Sequence, residues 1–153
     1  MSQSDPMREF KTGLSALQHG DPNSALIHLQ SAVEHDSANP YYLSFYGLAL
    51  ARAKRDWAMA EDFCLSALRT KRTQPHFYLN LAEVCCRAGE LEYAVSTLYN
   101  GLQHTKKDER LVRALEQLGV RRPPVLSFLD RRHFLNRQLG KLRHRLCGRG
   151  SCG

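Results

Sequence analysis

The sequence predicts an all-α protein built from repeated pairs of helices. Small residues recur along the chain at a period of 34 or 35 residues, in three separate columns. The columns are Gly13, Gly47 and Ala82; Ala25, Ala60 and Ala94; and Ala32, Ala67 and Gly101. A fixed period of this length is typical of solenoids, in which each repeat is one supersecondary unit that packs on its neighbours.

Each period contains two helical patterns and a turn. The first pattern places a small residue after bulky ones, as in "FYG" at 45–47. The second places Ala, an apolar residue and a small residue on one face, as in Ala60, Cys64 and Ala67. The segments "HGDPN", "KRDW" and "AGEL" fall between the two, and one extra residue in the second accounts for the spacing of 35. Pro40 and Pro75 mark the joins between periods.

This pattern resembles the tetratricopeptide repeat family over about residues 6–118, and "YLNLAEVCCRAGELEYAVSTLYNGL" is its clearest copy. The resemblance implies three antiparallel helix pairs in a right-handed solenoid, with the first helices lining a concave groove and the second helices on the convex side. A last helix, "DERLVRALEQLG", would cover the end of the array. Its inward residues would be Leu111, Leu115 and Leu118, and its solvent-facing residues Arg113, Glu116 and Gln117.

Charge divides the chain into two parts. Residues 120–153 contain nine Lys or Arg and one acidic residue, a net charge of +8, whereas residues 1–119 carry −1. We therefore predict a repeat array with its capping helix at 1–119 and a basic extension at 120–153. Leucines at helical spacing after Pro123-Pro124 predict a basic amphipathic C-terminal helix. This extension is similar to the ends of small bacterial tetratricopeptide proteins.

The basic extension has three possible roles. Its leucine stripe could dock on the repeats, it could bind an anionic membrane, or it could bind an acidic protein or nucleic acid. An exposed leucine stripe favours aggregation, so docking is the preferred interpretation. The candidate basic contacts are Arg131, Arg132, Arg137, Lys141, Arg143 and Arg145.

The predicted groove is the candidate site for a partner protein. By the family geometry its lining residues are Met7, Phe10, Leu14, Tyr41, Phe45, Leu48, His76, Asn80, Glu83 and Cys86. Leu14 and Leu48 are predicted to pack between repeats. The predicted partner contacts are Tyr41, Phe45, His76, Asn80 and Glu83. Aromatic and amide groups suit an extended peptide or a partner helix, so we expect an adaptor or scaffold, with a chaperone-like role as a narrower version.

One family subtype holds the C-terminal carboxylate of heat-shock chaperones with Lys, Arg and Asn side chains. The matching positions here are Phe10, Leu14, Phe45, His76 and Asn80. Because these positions carry almost no positive charge, such a carboxylate is not the expected ligand.

Two adjacent cysteines, Cys85 and Cys86, fall on a first helix. Neighbouring helical residues point about 100° apart, so the pair is poorly placed to hold one metal ion. Cys85 is expected in the core and Cys86 towards the groove, with a redox or metal role as the alternative. Cys147 and Cys152, with His133 and His144, lack a common zinc spacing.

No catalytic pattern stands out in the sequence. A phosphate-binding glycine loop and a recognisable Ser/His/Asp set are both missing, so we expect no enzyme activity, no cofactor and no metal site. No run of 18 apolar residues and no apolar leader segment occur, and the five cysteines show no framework spacing. These features favour a reduced, cytoplasmic location.

Overall fold

The computed structural model describes residues 5–119, which form seven helices without any strand. The helices are α1 (Pro6–Gln18), α2 (Pro22–His35), α3 (Pro40–Lys54), α4 (Trp57–Thr70), α5 (Pro75–Arg87), α6 (Leu91–His104) and α7 (Glu109–Gln117). The predicted all-α array of three helix pairs and a capping helix is confirmed. Within residues 5–119, none of the helices has both the length and the apolar character to span a membrane.

Most helices begin at a short polar residue that caps their first turn. Side chains of Asp5, Asp21, Asn39, Asp56 and Asp108 each accept a hydrogen bond from a backbone N–H two or three residues later. These bonds satisfy N–H groups that have no partner inside the helix. Four helices also have proline at or next to their first position, where its fixed φ suits the helix and its missing N–H costs nothing. A cap, a proline or both therefore mark the start of every helix except α6, in which Glu90 at the N-cap makes no capping bond.

The turn within each pair needs a residue in the left-handed region. Gly20 (φ 77°) and Gly89 (φ 82°) provide it in the first and third repeats. In the second repeat Arg55 takes this conformation with φ 57°, at a cost of about 1 kcal/mol for a residue with a Cβ. The Arg55 guanidinium lies 5.9 Å from the centre of the Trp57 ring, and this contact offsets part of the cost.

Small residues sit where the two helices of a pair cross. A Cβ added to Gly47 of α3 would lie 2.6 Å from the carbonyl oxygen of Ala60 and 2.9 Å from Sγ of Cys64, both on α4. Ala60 and Cys64 are themselves fully buried. The two backbones are therefore too close for any side chain at position 47.

The capping helix closes the core as the sequence predicts. Leu111 and Leu115 of α7 are buried and Leu118 packs against the core from a half-buried position, whereas Arg113, Glu116 and Gln117 are exposed. The predicted basic C-terminal helix lies outside the described residues.

We predict that Gly47→Ala destabilises the protein by about 1–3 kcal/mol, because the new methyl group must push α3 and α4 apart. The sign of the stability change is informative, because Gly→Ala inside a helix otherwise stabilises the protein by about 1 kcal/mol. Urea unfolding followed by circular dichroism measures the change. Gln103→Ala, at an exposed position of α6, is the control and should be neutral or slightly stabilising. A Gly47→Ala variant as stable as the wild type would contradict the close crossing.

Candidate partner-binding groove

The first helices of the repeats, α1, α3 and α5, pack side by side in order, and α7 follows α5. Each contributes one residue to a connected row. The ring centres of Phe10 and Phe45 are 5.7 Å apart, and those of Phe45 and His76 are 6.4 Å apart. Nη1 of Arg110 lies 2.7 Å from Nε2 of His76. We call Phe10, Phe45, His76 and Arg110 the groove row.

The groove row changes character along its length. Phe10 is buried against Tyr42 and Phe45, Phe45 itself is half-buried, and His76 is exposed. Phe45 is therefore supported on one side by the core while the other side remains accessible. A rigidly held, half-open aromatic ring is a suitable anchor point for an apolar side chain of a ligand.

Tyr41 lies beside the row at the start of α3. Its ring packs edge-on against buried Phe77, with the ring centres 5.1 Å apart. Nζ of Lys71 donates a hydrogen bond of 3.2 Å to the Tyr41 hydroxyl and lies 5.3 Å from the centre of its ring. Tyr41 is half-buried, so part of its ring can still contact a ligand. The rest of the side chain is held in place by Phe77 and Lys71.

Asn80 is more deeply buried than expected of a side chain that is free to contact a ligand. Only 6% of it is exposed, and its Nδ2 donates a hydrogen bond of 3.0 Å to Oγ of Ser44, which is fully buried. This polar pair joins α3 to α5 inside an apolar setting, where an unpaired amide would be costly. The hydrogen bond to Ser44 therefore gives Asn80 a structural role. Its contact with a ligand stays a prediction.

Glu83 is held by two arginines on the same face. Its oxygens accept hydrogen bonds of 2.7 Å from Nε and Nη2 of Arg52 and of 2.8 Å from Nε of Arg87. Arg52 also donates a 3.3 Å bond from Nη1 to the carbonyl oxygen of Leu17, so one guanidinium links α1, α3 and α5. Burial raises the pKa of Glu83, but the bonds from Arg52 and Arg87 outweigh burial and the pKa is lowered. Glu83 is therefore negatively charged near neutral pH, and its oxygens already accept hydrogen bonds from both arginines.

A second charged group ends the groove row at α7. Arg110 donates from Nε and Nη2 to the two oxygens of Asp108, at 2.9 and 2.8 Å. These bonds lower the pKa of Asp108 to about 2. Desolvation and the charge of Arg110 lower the pKa of His76, with Asp108 acting in the opposite direction. His76 is thus neutral near pH 7, and its Nε2 is assigned as the acceptor of the Arg110 bond.

Cys85 is buried, as predicted, and Cys86 is half-buried. The direction of Cys86 towards the groove stays a prediction. Burial, and then the neighbouring charge of Glu83, raise the pKa of the Cys86 thiol, so it is protonated near pH 7. Burial likewise raises the pKa of Cys64. In the part of the chain that the structure describes, no three His, Cys, Asp or Glu residues are grouped so that they could hold a metal ion.

The predicted contacts of the basic extension lie outside the described residues. This applies to Arg131, Arg132, Arg137, Lys141, Arg143 and Arg145, and to the cysteines and histidines of the extension. Their roles stay predictions.

Sequence reasoning missed Arg52 and Arg110 as groove residues. Both could have been found from the repeat period, because Arg52 precedes Arg87 by 35 residues and Arg110 follows His76 by 34. Neither arginine occupies one of the five carboxylate-clamp positions. The face therefore contains two further guanidinium groups, each paired with a carboxylate.

Comparison with known proteins identifies the fold. No model of a known protein family matches the sequence, and no curated protein is detectably similar to it. Solved structures do match. The first tetratricopeptide domain of Spaghetti (RPAP3) bound to the HSP90 peptide SRMEEVD is 17% identical, with a TM-score of 0.62, and the match covers 78% of this chain and 96% of that domain.

Two further structures have the same architecture. The second tetratricopeptide domain of human RPAP3, in complex with the HSP70 peptide SGPTIEEVD, is 15% identical with a TM-score of 0.58, covering 75% of this chain and 98% of that one. The Yersinia enterocolitica type III secretion translocator chaperone SycD is 16% identical with a TM-score of 0.62, covering 75% and 92%. At these identities the likeness defines the fold: the chain is a tetratricopeptide-type helical array.

We predict that Glu83→Gln lowers stability at pH 7 by about 1–2 kcal/mol, because the charge-assisted hydrogen bonds from Arg52 and Arg87 are weakened. The folded-state pKa of Glu83 lies below its unfolded value of about 4.3. Its contribution is therefore complete above the unfolded value and is lost as the pH falls through the folded value. Urea unfolding at pH 7, 5, 4 and 3 measures this.

Glu109→Gln is the matched control for this prediction, because Glu109 makes a similar pair with Arg113 on the exposed surface. We expect a change under about 0.5 kcal/mol. A Glu83→Gln deficit that does not shrink between pH 5 and pH 3 would show that the charge of Glu83 is not its cause.

For the cysteines we predict unequal effects. Cys85→Ser places a hydroxyl in the core and should cost about 1–2 kcal/mol, whereas Cys86→Ser should change stability by less than about 0.5 kcal/mol. Thermal unfolding of the two single variants gives the comparison. Zinc bound at one equivalent to the purified protein, and lost when both cysteines are replaced, would overturn the structural interpretation.

Proposed function

We propose that this protein is a non-enzymatic adaptor that binds a segment of another protein in its concave groove. The observation that carries the proposal is the groove row. Four successive inner helices each place a side chain in one connected line, from buried Phe10 through half-buried Phe45 to exposed His76 and Arg110. A line of this kind can contact several residues of one ligand segment at once.

The chemistry of the row suits a peptide better than a small molecule. Aromatic rings provide apolar contact, and the imidazole and guanidinium groups provide hydrogen bonds and charge beside it. Two of the structurally similar domains are bound to heat-shock-protein peptides, which supports a peptide ligand here. The clamp positions of that subtype hold Phe10, Leu14, Phe45, His76 and Asn80 in this chain, so we expect a different peptide.

A chaperone-like role is a narrower form of the same proposal. The similarity to the secretion chaperone SycD supports it at the level of fold. In this form the groove would protect an otherwise exposed segment of a client protein in the cytoplasm.

The charge of residues 120–153 supports a second candidate. A net +8 in 34 residues would give salt-dependent affinity for nucleic acid or an anionic membrane, with the repeats as a scaffold. Deleting 120–153 should then abolish binding to DNA, RNA or anionic vesicles, whereas a groove adaptor would keep its protein partner.

We predict that Phe45→Ala and His76→Ala each reduce capture of a partner protein by the full-length chain at least about fivefold, because each removes a member of the groove row. Affinity pull-down followed by quantitative mass spectrometry measures the capture. Ile27→Ala is the matched control, since Ile27 is an apolar residue of α2 that is 70% exposed. Partners captured equally by all three variants would show that the groove is not the binding surface.

A further inference from the structure

One edge of the array carries positive charge where one helix pair is joined to the next. The joining segments lie between α4 and α5 and between α6 and α7. We call their five exposed cations the basic edge: Arg69, Lys71, Arg72, Lys106 and Lys107. The charge recurs at the repeat period, because Lys106 follows Lys71 by 35 residues. The corresponding segment after α2 carries Glu34 and Asp36 instead, so the basic edge is confined to the second and third repeats.

Side-chain contacts bring these two joining segments together. The ring of His104, at the end of α6, is centred 6.4 Å from the ring of Tyr78, near the start of α5. Nη1 of Arg110, near the start of α7, lies 2.7 Å from Nε2 of His76 in the first turn of α5. Lys71 lies in the short segment that leads from α4 into α5. The ends of α4 and α6 and the starts of α5 and α7 are therefore neighbours.

The carboxylates of this edge are paired with other arginines. Asp108 accepts bonds of 2.9 and 2.8 Å from Arg110, and Glu109 accepts one of 3.1 Å from Arg113. Among residues 5–119, none of the five side chains of the basic edge forms an ion pair with a carboxylate. Five like charges on neighbouring segments attract anions and repel one another, and a bound polyanion relieves that repulsion.

The backbone at Lys106 and Lys107 gives a second, independent observation. Their φ angles are 53° and 58°, in the left-handed region where a residue with a Cβ is strained. Both side chains are exposed, and glycine supplies this conformation elsewhere in the array, at Gly20 and Gly89. Strained residues of this kind cluster at functional sites. Two lysines here lower stability and add two cations to the edge, as expected of a binding surface.

The residues beside the basic edge indicate which polyanion fits. Tyr41, whose hydroxyl accepts a 3.2 Å bond from Nζ of Lys71, and exposed His104 place ring side chains next to the cations. Phosphates of single-stranded nucleic acid can bind such cations while unpaired bases stack on such rings. A membrane surface favours exposed apolar residues that insert between lipids, and segments 69–76 and 104–110 contain no large exposed apolar residue.

We propose that the basic edge binds the phosphate backbone of single-stranded nucleic acid, with a base stacked on His104. This inference goes beyond the proposed groove function and does not depend on it. It also assigns the contact to the repeats themselves, in addition to any contribution of residues 120–153.

The first test measures binding of a fluorescein-labelled, single-stranded 12-nucleotide RNA to the full-length chain by anisotropy at several salt concentrations. The edge variant carries Arg69→Gln, Arg72→Gln, Lys106→Gln and Lys107→Gln, and it keeps the Lys71–Tyr41 bond. We expect affinity to fall at least about tenfold. The slope of log K against log salt concentration should become shallower by about 2–3, because each phosphate contact on a single strand contributes about 0.7.

The matched control removes the same number of charges elsewhere. It carries Arg8→Gln, Lys11→Gln, Lys54→Gln and Arg55→Gln, at exposed positions of α1 and of the turn between α3 and α4. Both variants have the same net charge and the same basic extension, so the control should change affinity by less than about twofold. Equal weakening in the two variants, or a wild-type chain that does not bind the RNA, would overturn the proposal. Phosphatidylserine vesicles that depend on the edge variant as strongly as RNA does would replace nucleic acid as the ligand.

The strained lysines allow a test in which stability and binding change in opposite directions. Lys106→Gly with Lys107→Gly should raise the melting temperature by about 2–4 °C, because glycine adopts positive φ without strain. The same variant should weaken RNA binding at least about threefold, through the loss of two phosphate contacts. Arg55→Gly, at the other strained cation (φ 57°), is the control and should leave binding within about twofold. A lower melting temperature in the double variant would show that the lysines serve the fold, and would contradict the proposal.

The stacked base is tested at His104. His104→Ala should weaken RNA binding about fivefold or more, and His104→Phe, which keeps a ring, should restore it to within about twofold of the wild type. A duplex of the same sequence should bind at least about fivefold more weakly than the single strand, since its bases are not free to stack. Equal loss in both His104 variants, or a preference for the duplex, would overturn the single-strand assignment. Melting temperatures of all variants identify any that fail to fold.

Discussion

Close contact between the two helix backbones of each pair is the constraint on which the rest of this structure depends. Gly47 has no room for a Cβ against Ala60 and Cys64, and the equivalent columns hold Gly or Ala. Because small residues let the two helices of a pair pack closely, each pair forms one unit with an inner and an outer helix. Stacking such units places all the inner helices side by side, and only then does a groove exist.

Polar links between inner helices keep the units in register. The Asn80–Ser44 bond joins α3 to α5 in the core, and Arg52 connects α1, α3 and α5 through Leu17 and Glu83. Apolar packing alone tolerates small rotations of one unit on another. Hydrogen bonds between specified atoms restrict those rotations, because a shift would leave a buried amide or a partly buried charge unpaired.

The same contacts determine which groups line this face. Asn80, Glu83 and Asp108 hydrogen-bond within the protein, and the groove row beside them presents aromatic rings, a neutral imidazole and a guanidinium group that is paired with Asp108. The arrangement of the groove row is therefore a consequence of how the repeats are held together.

The sequence by itself determined the repeat architecture. Its period, its small-residue columns and its caps predict the helices and their pairing, because helix boundaries depend on local groups such as Asp5 or Pro40 and crossings depend on residue size. The positions of Arg52 and Arg110 also follow this period. Only the tertiary structure decided which polar groups of the groove are used internally. The bond of Asn80 to Ser44 and that of Glu83 to Arg52 depend on side chains brought together from positions over 30 residues apart. Such contacts leave no local trace in the chain.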